Sequence, residues 1–251
     1  MAAVSPASAA VVSLGAATSF AVLAGQTVTN TGTSVINGDV GVWPGSAITG
    51  FPPGIVNGTV HAGTGPAQTA QTSVTSAFNS LANLPCGTTI TGSDLGSLGP
   101  LDPGVYCFAS GAQLTGTLTL NEHGLDDQAF VFLIGSTLLT ASDSVVTEIN
   151  TGPGGAGVND NIFWKVGSSA TLGTNTDFLG NILALTSITL NTGASISCGR
   201  ALARNGSVTL DDNDISACPT STAVPEPSTL MALLTALLVL GGIGWRRSPV
   251  A

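Results

Sequence analysis

Five short phrases rich in hydroxyl side chains recur in the chain, and such side chains can bind a surface through hydrogen bonds. Each phrase holds a Ser or Thr, any residue, a Thr or Leu, and then Leu. The phrases begin at Thr117, Ser136, Ser169, Ser187 and Ser207. The steps between these starts are 19, 33, 18 and 20 residues, and three of the four steps fit one repeat, which is typical of solenoid folds. The long step contains the glycine-rich segment 151–157, which we interpret as an inserted loop.

Alternation along each phrase predicts which side chains face solvent. Side chains of a strand alternate between its two faces, so the first and third residues of each phrase should point away from the core. The predicted outward positions are Thr117, Thr119, Ser136, Leu138, Ser169, Thr171, Ser187, Thr189, Ser207 and Thr209. If each repeat is one coil of a β-helix, these positions form two columns with about 4.8 Å between neighbouring coils. The preference of Thr for strands explains one such phrase, but it does not explain five uncharged phrases in register.

Residue types that perform catalysis or bind metals lack the spacing that those functions need. His61 and His123 have no second His or Cys at zinc-ligand spacing, so we interpret both as surface turn residues. Asp211, Asp212 and Asp214 could bind calcium, but the glycine turn and the distal Glu of a calcium loop are missing. The sequence contains no Gly-x-Ser-x-Gly elbow. We therefore predict a protein that is not an enzyme and that has no metal or cofactor.

The scarcity of basic residues argues against two further functions. Up to Thr220 the chain has 13 acidic and three basic residues, a net charge of −10, whereas nucleic-acid binding requires clusters of Lys and Arg. Polysaccharide lyases share the β-helix architecture. Resemblance to that class implies cationic groups that neutralise the carboxylate of a uronate substrate and abstract its proton. Lys165, Arg200 and Arg204 are the candidates, and we interpret the two arginines as partners of acidic turns.

The remaining segments predict the elements that position the hydroxyl phrases. Residues 14–60 alternate apolar and small polar residues with frequent glycine, which predicts short strands, and Thr27-Val28-Thr29 repeats the hydroxyl pattern. Apolar residues at helical spacing predict one helix over about 66–84. Three apolar runs, 130–134, 162–166 and 182–185, predict strands of another face, which the helix covers.

Both ends of the chain carry patterns typical of exported proteins. Ala7-Ser8-Ala9 is similar to the small-residue end of a secretory signal, so we interpret residues 1–13 as a signal remnant or a disordered N-terminus. After a linker at 219–223, residues 224–251 combine Pro225-Glu226-Pro227, an apolar stretch and the pair Arg246 and Arg247. This segment resembles the PEP-CTERM sorting tail of Gram-negative exported proteins. The resemblance implies export, transient retention in the inner membrane, removal of the tail by a sorting protease, and release to the cell surface or its polysaccharide layer. A permanent single-pass anchor is the alternative.

Four cysteines predict two disulfides in an exported protein. They are Cys86, Cys107, Cys198 and Cys218, which allow three pairings. Cys198 and Cys218 are 20 residues apart, which is one coil of the repeat, so they could lie on neighbouring coils within bonding distance. This pairing leaves Cys86 with Cys107.

The segment from about Leu14 to Ser216 resembles the microbial ice-binding family, and we assign the domain to residues 14–218. The matching stretches are 14–17, 20–24, 37–42, 44–45, 101–106, 161–173, 199–203 and 208–211. The resemblance implies a mainly β fold: a right-handed, discontinuous parallel β-helix of triangular cross-section, with one long α-helix packed alongside. It also implies that the N-terminal segment contributes a coil lying among later ones.

In this family the face away from the helix binds ice. Carried onto this sequence, that face should hold Thr27, Thr29, Ser169, Thr171, Ser187, Thr189, Ser207 and Thr209. This chain departs from a strict threonine array because it mixes Ser and Thr and has Leu138 at one outward position.

We therefore expect an exported, monomeric protein that adsorbs to ice and inhibits its growth or recrystallisation. Thr117, Thr119 and Ser136 are predicted to belong to the same surface. A rigid array of small hydroxyls suits a repeating surface better than a small molecule, which needs a concave site. The alternative is a cell-surface or matrix scaffold that uses the β-helix to bind exopolysaccharide or to pack against itself.

Overall fold

The structure, a computed structural model, describes residues 12–125, 128–152 and 161–218. The predicted linker and sorting tail, and the N-terminal segment up to residue 11, lie outside the described residues. Contacts divide the chain into two units, Met1–Pro219 and Thr220–Ala251. Within the described ranges, no helix has both the length and the apolar character of a membrane span.

The regular elements of the described residues are 21 short strands, one α-helix and two 3-10 helices. The 3-10 helices are Gly15–Ala17 and Leu95–Ser97, and the α-helix is α1 (Gly65–Ala82). The strands are β1 (Phe20–Ala24), β2 (Thr27–Thr31), β3 (Val35–Asn37), β4 (Asp39–Val42), β5 (Ala47–Thr49), β6 (Ile55–Asn57), β7 (Val60–Ala62), β8 (Thr88–Thr89), β9 (Gly104–Phe108), β10 (Ala112–Leu114), β11 (Thr117–Asn121), β12 (Phe130–Ile134), β13 (Leu138–Thr140), β14 (Val145–Ile149), β15 (Ile162–Val166), β16 (Ala170–Leu172), β17 (Asp177–Ala184), β18 (Ile188–Leu190), β19 (Ser195–Ala203), β20 (Val208–Asp211) and β21 (Asp214–Ser216).

The strands stack as coils of a parallel β-helix with three faces. The helix face consists of β9, β12, β15, the later halves of β17 and β19, and then β1, β4 and β7. The hydroxyl face is a separate seven-stranded sheet in the order β10, β13, β16, β18, β20, β2 and β5. The third face consists of β11, β14, the earlier halves of β17 and β19, and then β21, β3 and β6. The predicted fold class, a mainly β parallel β-helix with one helix, is confirmed.

The N-terminal coils lie at one end of the stack. β1 pairs with β19, β2 with β20 and β3 with β21, and the coil of β4 to β6 follows beyond them. The expectation that the N-terminal coil lies among later coils is therefore wrong, because this coil lies beyond the last of them. The N-terminal strands extend the stack past the last C-terminal coil, because the edges of β19, β20 and β21 are free to pair there.

An aromatic stack fills the interior of the first coils. The ring centroids of Tyr106 and Phe132 are 5.5 Å apart, those of Phe132 and Trp164 are 3.9 Å apart, and those of Trp164 and Phe178 are 4.9 Å apart. The buried indole N–H of Trp164 donates to the carbonyl of Leu179 at 2.9 Å, which satisfies its one polar group. Parallel in-register pairing aligns Tyr106, Phe132 and Trp164, because equivalent positions of successive coils lie above one another. Phe178 reaches the stack from the earlier half of β17, on the third face.

Helix α1 covers the outward side of the helix face. Its buried positions Ala67, Ala70, Val74, Phe78 and Leu81 follow the apolar stripe that predicted a helix over about 66–84. They pack on outward apolar side chains of β1, β12, β15, β17 and β19, which are Leu23, Val131, Phe163, Leu183 and Leu202. The strands of this face are therefore buried on both sides, which explains their continuous apolar runs.

A buried arginine holds the corner between the third face and the helix face. Arg200 is fully buried and donates to the carbonyl of Thr18 from Nε at 3.0 Å and from Nη2 at 2.7 Å, and to Oδ1 of Asn181 at 2.8 Å. The neighbouring Gly180 has φ of +101°, and a Cβ there would lie 2.6 Å from Ile162. These bonds go to a backbone carbonyl and to an amide, and neither partner is acidic. The interpretation of Arg200 as a partner of an acidic turn stays a prediction.

Both predicted disulfides are present. Cys86 bonds to Cys107 with 6.0 Å between their Cα atoms, and Cys198 bonds to Cys218 with 4.6 Å between theirs. The first bond joins the start of the stack to β9. The second joins β19 to the residues that follow β21, so it closes the last C-terminal coil against its neighbour.

Candidate binding surface

The hydroxyl face places one residue from each of seven coils in a single column. Strand pairing aligns Gln113 with Leu139, Leu139 with Thr171, and then Thr189, Thr209, Thr29 and Thr49 in succession. Five consecutive coils therefore carry threonine at the same position, and neighbouring threonines are about 4.8 Å apart. We call Thr171, Thr189, Thr209, Thr29 and Thr49 the threonine column.

The hydroxyls of the threonine column are free to bind an external partner. The flanking residues, such as Ile188 and Leu190 beside Thr189, are buried in the core, so the threonine points outward. The side chains of Thr209, Thr29 and Thr49 are exposed, and those of Thr171 and Thr189 are partly exposed. Among the described residues, none of these five hydroxyls makes a hydrogen bond within the protein.

A second column lies two residues earlier in each coil and has a different hydrogen-bonding role. The backbone N–H of Ser187 donates to Oγ of Ser169 at 3.3 Å, and the N–H of Ser207 donates to Oγ of Ser187 at 3.2 Å. The hydroxyl of Thr27 donates to Oγ of Ser207 at 2.9 Å. These hydroxyls therefore link successive coils at the edge of the face. We call Ser169, Ser187, Ser207 and Thr27 the serine column.

The structure brings together eight of the eleven side chains predicted to share this surface. Strand pairing and the serine column place on it Thr27, Thr29, Ser169, Thr171, Ser187, Thr189, Ser207 and Thr209. The first sequence phrase belongs elsewhere: Thr117 and Thr119 lie in β11, which pairs with β14 on the third face, opposite Val145 and Thr147. The prediction that these two threonines share the hydroxyl face is wrong, because the phrase recurs on two different faces.

The second sequence phrase is displaced by one residue. Leu138 pairs with Ala170 and is only 1% exposed, whereas Leu139 pairs with Thr171 and is 48% exposed. Thr137 therefore stands next to Ser169, and Ser136 lies at the preceding corner, where its carbonyl accepts from the N–H of Ser168 at 2.9 Å. The predicted outward position of Leu138 is wrong, because a shift of one residue exchanges the two faces of a strand. Ser136 is exposed as predicted, but it lies one residue before the column to which it was assigned.

Thr49 is the residue of the column that sequence reasoning missed. It pairs with Thr29 through β5, and Ala47 takes the preceding position opposite Thr27. The signal was present in the sequence: Thr29 and Thr49 are 20 residues apart, the step of the later repeats. The phrase was not recognised because Ala47 replaces the first hydroxyl and Gly50 replaces the final Leu.

Residues considered for catalysis or metal binding are scattered and partnered. His123 Nε2 lies 2.7 Å from Asp102 Oδ1 on the surface, and the ring of His61 packs against Phe20 at 5.3 Å. Asp211 accepts from the Thr192 hydroxyl, and Asp212 accepts from the N–H of Thr33 at 2.6 Å. The part of the chain that the structure describes holds no group of three or more His, Cys, Asp or Glu side chains suited to a metal ion.

The two remaining cations lie beside α1. The ammonium of Lys165 is 4.9 Å from the ring centroid of Phe78, and the guanidinium carbon of Arg204 is 5.6 Å from it. Burial lowers the pKa of Lys165 below its ordinary value of 10.5. The interpretation of Arg204 as a partner of an acidic turn is wrong, since within the described residues its side chain makes no ion pair.

The geometry defines a class of protein: a parallel β-helix with a helix on one face and a matched array of threonines on another. Two solved ice-binding proteins have a similar fold. One is an ice binding protein from an Antarctic biological consortium, with a TM-score of 0.79, 40% identity, and coverage of 86% of this chain and 96% of that chain. The other is an ice-binding protein from the ascomycete Antarctomyces psychrotrophicus, with a TM-score of 0.77, 38% identity, and coverage of 84% and 100%.

Sequence comparison assigns the family. The profile of the ice-binding-like family matches residues 22–216, and the chain belongs to this family. A relative from Nostoc sp. (strain HG1), named ice-binding protein, is 54% identical over 231 residues, which cover 90% of this chain and 83% of the relative. A second profile, the PEP-CTERM protein-sorting motif, matches residues 223–248. Both predicted family resemblances are confirmed.

Proposed function

We propose that this protein is exported and binds ice through the hydroxyl face, with the threonine column as the main contact. The observation that carries this proposal is the alignment of five outward threonines on consecutive coils, whose hydroxyls have no partner among the described residues. Each threonine adds a methyl group and a hydroxyl at a regular step of about 4.8 Å. A crystal surface is also periodic, so many weak contacts can form at the same time.

Rigidity makes such weak contacts additive. The serine column ties neighbouring coils together through side-chain hydrogen bonds, and the coil interior is closely packed. Little conformational entropy is therefore lost when the face adsorbs, and water molecules held by the hydroxyls can bridge to the ice lattice. The relatives named ice-binding proteins support this function for the present chain, and the proposed activity is adsorption without catalysis.

The sorting motif supports a route to the cell exterior. We infer that residues 224–251 hold the protein briefly in the inner membrane, with Arg246 and Arg247 on the cytoplasmic side. A sorting protease then cuts near Pro225-Glu226-Pro227 and releases the β-helix to the cell surface or the medium. A mass spectrum of the released protein tests this route: a C-terminus near residue 227 is expected, whereas a permanent anchor would retain residues 228–251.

An ice recrystallisation assay on the purified protein and two matched variants tests the function. Thr189→Tyr places a large ring at the middle of the threonine column, and it should raise the inhibitory concentration at least about tenfold, equal to ~1.4 kcal/mol. Thr117→Tyr is the control, because Thr117 is exposed but lies on the third face. Equal losses from both variants would exclude the hydroxyl face, and an inactive parent protein would favour the scaffold alternative.

A further inference from the structure

A cleft of about 350 Å³ lies between α1 and two corners of the β-helix, separate from the threonine column. One corner is Trp43-Pro44, which leads from β4 to β5, and the other is Arg204-Asn205, which leads from β19 to β20. The volume is near the lower end of the range of ligand sites, ~300–1000 Å³. The chemistry of its walls is not explained by ice binding.

Gln71 lines the cleft and carries a buried acceptor that has no partner among the described residues. The side chain is only 6% exposed, and its Nε2 donates to the carbonyl of Ala203 at 3.0 Å. A carbonyl oxygen needs a donor, and only the nitrogen end of a Gln amide can donate, so this bond determines which end of the amide is the oxygen. Oε1 of Gln71 has no hydrogen-bond partner among the described residues, and a buried acceptor without a donor is costly. This oxygen is closed to solvent, so it accepts from a ligand hydroxyl only after a small movement of the side chains around it.

Arg204 supplies an unpaired cation to the same cleft. Its guanidinium packs on the ring of Phe78, and the described part of the chain gives it no carboxylate partner. Although the domain is strongly acidic, the five N–H donors of this guanidinium remain available, and their rigid fork suits a carboxylate. The ligand should therefore carry a negative charge.

The helix wall adds further acceptors. The hydroxyls of Thr72 and Ser76 each donate to the carbonyl four residues earlier, at 3.1 Å, so their remaining lone pairs face outward. The half-buried ring of Trp43 forms the opposite wall. A matching ligand therefore needs several hydroxyl donors, one anionic group and an apolar ring face.

We propose that this cleft binds one uronic-acid residue of an acidic polysaccharide. The sugar hydroxyls donate to the helix hydroxyls and, once the ligand displaces the side chains that cover it, to Oε1 of Gln71. The carboxylate accepts from Arg204, and the C–H face of the sugar ring packs on Trp43. An inorganic anion would pair with Arg204 alone, and a neutral sugar would leave Arg204 unpaired. The site goes beyond the proposed function, since it would attach the protein to a polysaccharide layer while the threonine column faces outward.

Calorimetric titration of the full chain in a sugar-free detergent tests the site, with a uronic-acid tetrasaccharide from alginate as ligand. We expect saturable binding, at least about tenfold weaker binding of neutral maltotetraose, and no competition from equimolar acetate or phosphate. Equal binding of both tetrasaccharides, competition by the simple anions, or no binding would overturn the proposal.

Variants then locate the binding on the protein. Arg204→Gln should weaken tetrasaccharide binding about tenfold or more, whereas Lys165→Gln removes the same charge beside the same Phe78 ring but outside the cleft. Trp43→Phe should retain binding and Trp43→Ala should lose it. An unchanged affinity in Arg204→Gln would overturn the assignment. Arg204→Gln should keep full ice activity, so failure of this site is distinguishable from failure of the proposed function.

Discussion

The hydroxyl of Thr27 donates a hydrogen bond to the hydroxyl of Ser207, 180 residues further along the chain, with 2.9 Å between the two oxygens. This bond joins the first N-terminal coil to the last C-terminal coil on the hydroxyl face. Because β2 pairs with β20 in register, Thr29 continues the column of Thr171, Thr189 and Thr209. Two segments that are distant in the chain therefore form one continuous surface.

Leu139→Thr should strengthen ice binding. Leu139 is 48% exposed and pairs with Thr171, so the substitution extends the threonine column from five coils to six. We expect the concentration needed for recrystallisation inhibition to fall about threefold, equal to ~0.6 kcal/mol. Leu125→Thr is the control, because Leu125 is 56% exposed and lies outside the hydroxyl face. The same response in both variants would show that the general polarity of the surface, and not the column, governs activity.

Removal of the Cys198–Cys218 disulfide should destabilise the fold. The bond closes a loop with a sequence separation of 20 residues, so Cys198→Ser with Cys218→Ser should lower the free energy of unfolding by about 3 kcal/mol. Urea unfolding measures the change. The Cys86–Cys107 bond has a separation of 21 residues but lies at the end of the stack away from the N-terminal coils. Its removal should therefore reduce ice activity less than removal of the Cys198–Cys218 bond. Unchanged unfolding in the Cys198 and Cys218 double variant would contradict the prediction.

Trp164→Ala should produce the largest loss of stability among single core substitutions in the aromatic stack. Trp164 is fully buried between Phe132 and Phe178, and truncation of such a side chain costs about 3–5 kcal/mol. Trp164→Phe keeps a ring in the stack and should cost less, although it loses the bond to the Leu179 carbonyl. Thermal unfolding followed by circular dichroism measures both, and equal losses would mean that the stacked ring contributes little.

Asp94 should add a small pH dependence to stability. Burial by itself raises the pKa of Asp94, but hydrogen bonds from Thr115 and from the N–H of Gly96 outweigh it, so the pKa lies below the ordinary 3.8. A carboxyl with a lowered folded-state pKa stabilises the protein above its unfolded-state pKa, and this contribution is lost as the pH falls through the folded value. Urea unfolding at a series of pH values around and below 3.8 should therefore show a weaker acid dependence in Asp94→Asn than in the parent. An identical acid dependence would contradict the prediction.

Much of the architecture could be predicted from local patterns. The period of 18–20 residues placed Thr171, Thr189 and Thr209 in one column, and the spacing of Cys198 and Cys218 predicted their bond. The apolar stripe predicted α1, and the uninterrupted apolar runs predicted the strands beneath it. These predictions succeeded because each depends on contacts between neighbouring coils, whose separation in sequence equals the repeat.

Only the tertiary structure decided which face each strand occupies and where the N-terminal coils stack. Thr117 and Thr119 alternate with apolar residues just as Ser187 and Thr189 do, yet they lie on the third face. Every strand of a β-helix has the same period of two, so the alternation of side chains does not identify the face, and a shift of one residue at a corner exchanges inside and outside. The pairing of Thr29 with Thr209 and the cleft at Gln71 arise from contacts between distant segments, which no local pattern encodes.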